Sequence, residues 1–471
     1  MTDCGSFKWT NPSVQAFAGE KDPVVAMEER AQSVVLSAMD QGWTGPPFDP
    51  IKLADLLHVA VQANADIRDA RTISDGKDGF VIEFNPNRPR GRVRFSLAHE
   101  IAHTFFPDCA ENVRNRAHSQ ATIGDNWQLE LLCNVASSEL IMPIGSFREL
   151  SRDGLELSHL MQLRKEYDVS TEAILWRATK LATSAASMFV AARLEEPEGT
   201  TRFRIEYSIA SPLWRLPALA TTQLSGLAIL EECTAVGYTA SNTQRWPGLK
   251  GLYLIQCVGM PPYPGARYPR IGGIVTPVRQ PDKKPNQINY ERGDATEPRD
   301  SGYRLIAHIV NDRTPNWGGG GFAVSVKKRM PLVQTEFREW VCESADHLKL
   351  GNVHLSVVDD TLSVVNMIAQ AGYGPSASPR IKYEALSRCL ERVSEIAEDR
   401  GDSVHMPRIG TGNAGGSWKI IEELIQDHLV VRGIKVTVYD LPANPDHTAA
   451  DGFLSDYSMN SGFESWKNDG S

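Results

Sequence analysis

Residues 95–103 read Phe-Ser-Leu-Ala-His-Glu-Ile-Ala-His. Two histidines four apart share one helix face, so both imidazoles reach a single point beside the helix. Phe95, Leu97, Ala98, Ile101 and Ala102 make the same helix mostly buried. Burying two histidines and a glutamate is costly unless something pairs them. The pattern therefore predicts a helix whose His99 and His103 ligate Zn²⁺. Glu100 is placed to take a proton from water as general base.

A catalytic zinc takes three protein ligands and keeps one position open, which argues against a purely structural metal beside Glu100. The third ligand is expected from a second helix over residues 126–141, ended by Pro143. Two acids compete there, Glu130 and Glu139, nine residues apart and on opposite faces. Asn134 shares the Glu130 face and can support the site. Cys133 is read as lying off that face, and Cys109 as a second bystander. His58 and His118 are read as surface or structural, with His118 in the loop between the two helices.

The seven cysteines are scattered with no CxxC pair, which predicts reduced thiols and a cytoplasmic protein. No basic region followed by an apolar stretch opens the sequence, and no run of 18 apolar residues occurs, so neither a signal peptide nor a membrane partner is expected. With 49 Lys+Arg against 58 Asp+Glu, the net charge of −9 leaves direct nucleic-acid binding unexpected.

The 471 residues suit about three domains. The expected fold class is multidomain: a mainly α zincin-like domain over 20–194, an α+β middle module over 195–285, a three-layer α/β domain over 286–445 and a flexible tail over 446–471. Helices are expected over 24–64, 93–106, 126–141 and 156–183. Small apolar residues over 182–192 suggest one more buried helix. Polar linkers are read at 195–201 and 280–286. Beyond the second, strand-like runs at 304–310, 353–358, 363–369, 403–407 and 434–439 alternate with helical runs at 322–345, 382–400 and 418–432.

Two glycine loops stand out in this last region, each after an apolar strand and before a helix. The first runs His308-Ile-Val-Asn-Asp-Arg-Thr-Pro-Asn-Trp-Gly-Gly-Gly-Gly-Phe, and the second Pro407-Arg-Ile-Gly-Thr-Gly-Asn-Ala-Gly-Gly-Ser-Trp. Glycines let backbone N–H groups approach a phosphate, and a following helix terminus favours the anion. Neither loop is a Walker motif, and neither fits GxGxxG with a following acid.

Over about 50–180 the sequence resembles the ImmA/IrrE metallopeptidases. The resemblance rests on Arg94-Phe95, read as a strand running into HExxH, and on Glu130…Asn134…Leu140-Ile-Met-Pro143. It implies His99, His103 and Glu130 as zinc ligands and Glu100 as base, and leaves Glu139 a solvent-facing charge. It also implies a protein substrate such as a transcriptional repressor or antitoxin, a stress-response setting and a sensor-like middle module.

Over about 286–442, Gly293-Asp294-Ala-Thr and the glycine loops resemble a macro domain of the phosphatase and deacylating-hydrolase branch. The resemblance implies an ADP-ribose or related nucleotide ligand. Asp294 would hold adenine. Asn311 with Trp317, Gly318, Gly319, Gly320, Gly321 and Phe322 would face the distal ribose. Gly410, Thr411, Gly412, Asn413, Ala414, Gly415 and Gly416 would cradle the diphosphate. His308 stands where phosphatase-like members carry a histidine. Some hydrolases of the branch use a lysine and an aspartate where this chain has Gln370 and Ala414-Gly-Gly.

The leading expectation is a zinc endopeptidase gated or targeted by a nucleotide. The alternative is ADP-ribosyl hydrolase or ADP-ribose-phosphate phosphatase activity, with the peptidase part regulatory.

Overall fold

The computed structural model describes residues 8–75, 79–109, 126–147, 155–194, 202–219, 223–224, 227–233, 235–262, 266–278, 287–317, 319–374, 376 and 378–440. His118, Gly318, the linkers at 195–201 and 280–286 (its first described neighbour being Gln287) and the tail at 446–471 lie outside the described residues. Among the described residues no helix is long and apolar enough to cross a membrane.

The N-terminal part opens with α1 (Pro12–Ala18), α2 (Pro23–Asp40) and α3 (Pro50–Leu56). Each has proline in its first turn and an Asn or Asp cap. The Asp22 carboxylate, for example, accepts from the Val24 and Val25 N–H groups at 2.9 and 3.2 Å. The expected helix over 51–63 stops early. His58 takes a left-handed φ of 58°, and the chain turns into β1 (Ala60–Ala63). With β2 (Ala70–Ser74) and β3 (Phe80–Phe84) it forms a sheet of order β1-β3-β2.

Next come α4 (Arg90–His103), α5 (Asn126–Ile141), α6 (Leu157–Glu166) and α7 (Thr171–Lys180). Arg94 and Phe95 sit inside α4 and not on a strand. The Arg94 guanidinium is buried and donates to the Phe48 carbonyl at 2.6 Å, a bond that suits a helix side chain reaching into the core. Ser170 caps α7, accepting from the Ala173 N–H at 3.1 Å. Glu139 is not solvent-facing. It is buried on α5 and ion-paired with the Arg177 guanidinium, which reaches it from α7.

The segment expected as a buried helix at 182–192 is instead β4 (Ser187–Leu194). Five successive residues from its start are buried, since β4 lies between two neighbours in mid-sheet. A strand covered on both faces loses its period-2 signal and reads like a buried helix. The sheet continues with β5 (Arg202–Ala210), β6 (Gln223–Leu224), the short α8 (Ala228–Glu232), β7 (Thr239–Gln244), β8 (Tyr253–Met260) and β9 (Arg270–Pro277). Its order is β6-β5-β4-β9-β8-β7, antiparallel throughout.

The C-terminal part contains β10 (Asn289–Arg292), β11 (Arg304–Asn311), α9 (Phe322–Arg329), α10 (Pro331–Glu343), β12 (Val353–Val357), β13 (Leu362–Gln370), α11 (Tyr383–Arg400), β14 (Ser403–Pro407), α12 (Trp418–Ile425) and β15 (Val436–Asp440). Pro331 divides the single helix expected over 322–345. The sheet order is β10-β15-β14-β11-β13-β12, parallel except for β12. Ile306, Val310, Val364 and Ile368 pack beneath α9 and α10. Leu305, Ala307, Val365 and Met367 point the other way, into a core shared with α11, α12 and the N-terminal helices. Alternation along buried strands thus builds three layers.

At the centre of the middle sheet, a Cβ on Gly273 would lie 2.4 Å from Cζ of Phe189, whose ring is fully buried. Gly273→Ala should therefore cost about 1–3 kcal/mol through overpacking. Denaturant unfolding measures this, and Phe189→Leu in the same background should recover part of the loss.

Candidate functional site

Helix α4 is held from both sides. Arg92 makes a bidentate pair with Asp69 at 2.7 and 2.8 Å. Leu97, Ala98, Ile101 and Ala102 are sunk in the core against α5. The remaining face presents His99, Glu100 and His103.

The two Nε2 atoms stand 3.2 Å apart. The Glu130 carboxylate on α5 comes within 3.0 Å of His99 Nε2 and 3.7 Å of His103 Nε2. His99 Nδ1 meets the Asn134 side-chain oxygen at 3.0 Å, which fixes the ring. Burial disfavours the charged His99 ring, but Glu130, with Glu100 and Asn134, outweighs it and holds the pKa above the ordinary histidine value. Thr72 of β2 donates its hydroxyl to Oε2 of Glu100 at 2.7 Å.

Cys133 is closer than the sequence reading put it. Ligand atoms of His99, His103 and Cys133 all lie within 4.8 Å of one another. The reason is helical: Glu130 and Cys133 are three apart and so share a face. The Cys133 side chain is fully buried, whereas Glu130 retains 44% of its side-chain exposure. Two imidazole nitrogens that face each other with a carboxylate and a thiol at hand fit a divalent metal of intermediate softness. Thr72, from a strand with no motif of its own, had no signal in sequence.

In the C-terminal part, Asp294 Oδ1 accepts from the Thr296 N–H and hydroxyl at 2.9 and 2.8 Å, and Oδ2 lies 3.4 Å from Arg329. Asn311 ends β11 and accepts from the Arg313 and Thr314 N–H groups at 2.9 and 3.0 Å, so its side chain shapes the first glycine loop. Gly319, Gly320 and Gly321 are exposed at the start of α9, where Phe322 is half-buried. A Cβ on Gly320 would lie 3.0 Å from the Asn413 amide, so the two glycine loops touch.

The second loop is folded on itself. Gly416 N–H donates to the Gly410 carbonyl at 2.8 Å, and a Cβ on Gly416 would lie 2.8 Å from that oxygen. Gly410 has a φ of +74°, which favours glycine. Thr411 donates to the Arg408 carbonyl at 2.9 Å. Gly412, Asn413 and Gly415 are exposed, and Ala414 is buried.

Trp317 is buried too, edge-on to His308 at 4.9 Å between ring centres. His308 bonds through Nε2 to Asn366 at 2.7 Å, and burial pushes its pKa down to about 4. The structure therefore gathers most of the glycine-loop residues on one surface and places Trp317, Ala414 and His308 beneath it.

Residues 61–179 match the family model described as the IrrE N-terminal-like domain, Peptidase_M78. A macrodomain protein from Streptomyces coelicolor is 42% identical, over 33% of this chain and 99% of that one, with a TM-score of 0.29. A protein of unknown function from Bacteroides thetaiotaomicron is 40% identical, over 33% and 98%, with a TM-score of 0.31. Chromodomain-helicase-DNA-binding protein 1-like from Danio rerio is 33% identical over 168 residues. This chain spans only 16% of the length of that relative and 18% of its mouse counterpart.

Asn134→Ala should weaken divalent-metal binding about 10- to 100-fold, read by competition with a chromogenic chelator. In the same assay Glu130→Gln should lose more affinity than Cys133→Ala. The reverse order would make the thiol the third ligand.

Proposed function

Because the chain carries an IrrE-like Peptidase_M78 domain at residues 61–179 and belongs, through its C-terminal third, to the macrodomain family, we propose that it is a zinc-dependent endopeptidase controlled by an ADP-ribose-type nucleotide. The observation that carries the peptidase reading is the meeting of His99, His103 and Glu130 beside Glu100. In this reading those three residues hold zinc. The metal supplies Lewis acidity and lowers the pKa of water. Glu100, steadied by Thr72, takes a proton from the attacking water and passes it to the leaving amine. Asn134 keeps His99 oriented.

The surface formed by the two glycine loops supports a nucleotide ligand, since exposed backbone N–H groups at loops and helix starts suit phosphate oxygens. In this reading Asp294 holds the adenine, residues 319–322 face the distal ribose with Asn311 shaping their loop and Trp317 beneath it, and residues 410–413, 415 and 416 cradle the diphosphate over buried Ala414. Binding is favoured over hydrolysis. His308 is sealed beneath Trp317 and Phe322 and stays neutral, so it is out of reach of a bound substrate. We place the domain limits near 187, where the middle sheet begins, and between β9 and β10, where the chain passes from the middle sheet to the C-terminal one. The protein substrate is a repressor or antitoxin-like partner.

Glu100→Gln should lower cleavage of such a partner by about 10²–10⁴-fold while leaving calorimetric ADP-ribose binding unchanged. Asp294→Ala should do the opposite to binding. Full cleavage by the Glu100→Gln protein would end the peptidase reading, and ADP-ribose binding untouched by Asp294→Ala would end the assignment of that residue.

A further inference from the structure

The N-terminal helices and the macro domain meet along a seam. On one side lie α2, α5 and α7, and on the other α12 and the turn after it, with a cavity of about 750 Å³ between them. Glu139, Glu423 and Asp427 line this cavity together with the guanidinium of Arg177. Arg177 is committed to Glu139 and to the Met142 carbonyl at 3.3 Å. Glu423 accepts from the Gly145 N–H, just past the end of α5. Asp427 accepts from the Gln32 amide of α2 at 3.2 Å.

The surrounding charges are already matched. Lys180 lies 3.7 Å from Glu28, Lys21 2.6 Å from Glu29, and Arg432 3.9 Å from Glu398. Glu422 accepts from the Tyr290 hydroxyl, and His428 meets Ser387 at 2.8 Å. Among the described residues, Glu423 and Asp427 therefore have no cation of their own and share one cavity with Glu139. A carboxylate so placed is stable in its neutral form, because ionisation adds further negative charge to the same cavity.

We propose that this seam is a proton-operated latch, shut while Glu423 and Asp427 carry protons and loosened when both ionise against Glu139. Burial pushes Glu423 up to about 7, with Asp427 and Glu139 adding to it. Burial likewise pushes Asp427 up to about 6, with Glu139 and Glu28 adding to it. Asp427 is exposed, so solvent screens most of its share, and half-buried Glu423 carries the larger part. At the other end of the seam, Asp40 of α2 accepts from the Tyr383 and Glu384 N–H groups of α11 at 2.8 and 3.3 Å, beside Lys382. Burial raises Asp40 to about 6, in the same direction.

The shut seam holds protons that the parted carboxylates release. Closure is therefore strongest in acid and weakens as pH rises from the ordinary carboxylate range near about 4 through about 7. Each titrating carboxylate changes the closure constant by at most about tenfold per pH unit. The latch would act on both sites, since α12 follows the second glycine loop and Gly145 follows the helix that carries Glu130.

The test follows seam opening in the full chain by small-angle X-ray scattering along a urea series at pH 5.5 and 8.0, with far-UV circular dichroism confirming that helices and sheets persist. The wild type should open at lower urea at pH 8.0, with closure at least tenfold weaker. The Glu423→Gln/Asp427→Asn protein keeps both hydrogen-bond acceptors and should open at the same urea at both pH values. An unshifted or oppositely shifted wild type overturns the latch, as does a variant that keeps the full shift. If the double variant does not fold, Glu28→Gln on α2 decides: a smaller pH shift supports the latch, and an unchanged one overturns it.

Discussion

A helix that buries one face completely and holds two imidazoles 3.2 Å apart on the other sets the terms for the N-terminal half. Nitrogen lone pairs at that distance repel unless a proton or a cation lies between them. The helix cannot rotate away to relieve this, because Leu97, Ala98, Ile101 and Ala102 fix its azimuth and Arg92 and Arg94 fix its start. The relief has to come from outside α4, and α5 brings it as Glu130, Asn134 and Cys133. Cys133 and Asn134 lie three and four residues after Glu130, about one turn on, so this side of α5 offers a carboxylate, an amide and a thiol towards the histidines.

The sequence showed the parts of this site that lie within single elements. Histidines four apart, and Glu130 with Asn134, carry their geometry in their spacing. It could not show which face of α5 meets α4, and that decided both errors there. Cys133 points inward beside Glu130, and Glu139 is buried against Arg177 where solvent was expected. Thr72 reaches Glu100 only because β2 runs past α4, a tertiary fact with no local trace.

Strand β4 gives the complementary case. A run such as Ser187-Met-Phe-Val-Ala is helical or extended with equal ease by composition, and mid-sheet burial on both faces erased the alternation that separates them. Among the C-terminal strands, β11, β13 and β14 were legible because each is an apolar run followed by a loop and then a helix. The break between α9 and α10 was written in Pro331, whose ring cannot continue a helix interior.

The two glycine loops are about ninety residues apart in sequence, and their meeting follows from topology. β11 and β14 are parallel neighbours, so the loops that leave their C-terminal ends emerge side by side at one edge of the sheet, a place where α/β folds form ligand crevices. Gly320 and Asn413 touch for that reason. The second loop then has little freedom. Ala414 accepts from the Arg380 and Ile381 N–H groups, Tyr383 receives the Ser417 N–H, and the Tyr383 N–H is itself held by Asp40 of the N-terminal part. A shift of this loop would pull on α11 and α12 together, and the start of α11 is held by Asp40 of α2. A short series of hydrogen bonds, each donated by a backbone N–H, thus ties the second glycine loop to the Asp40 carboxylate on α2.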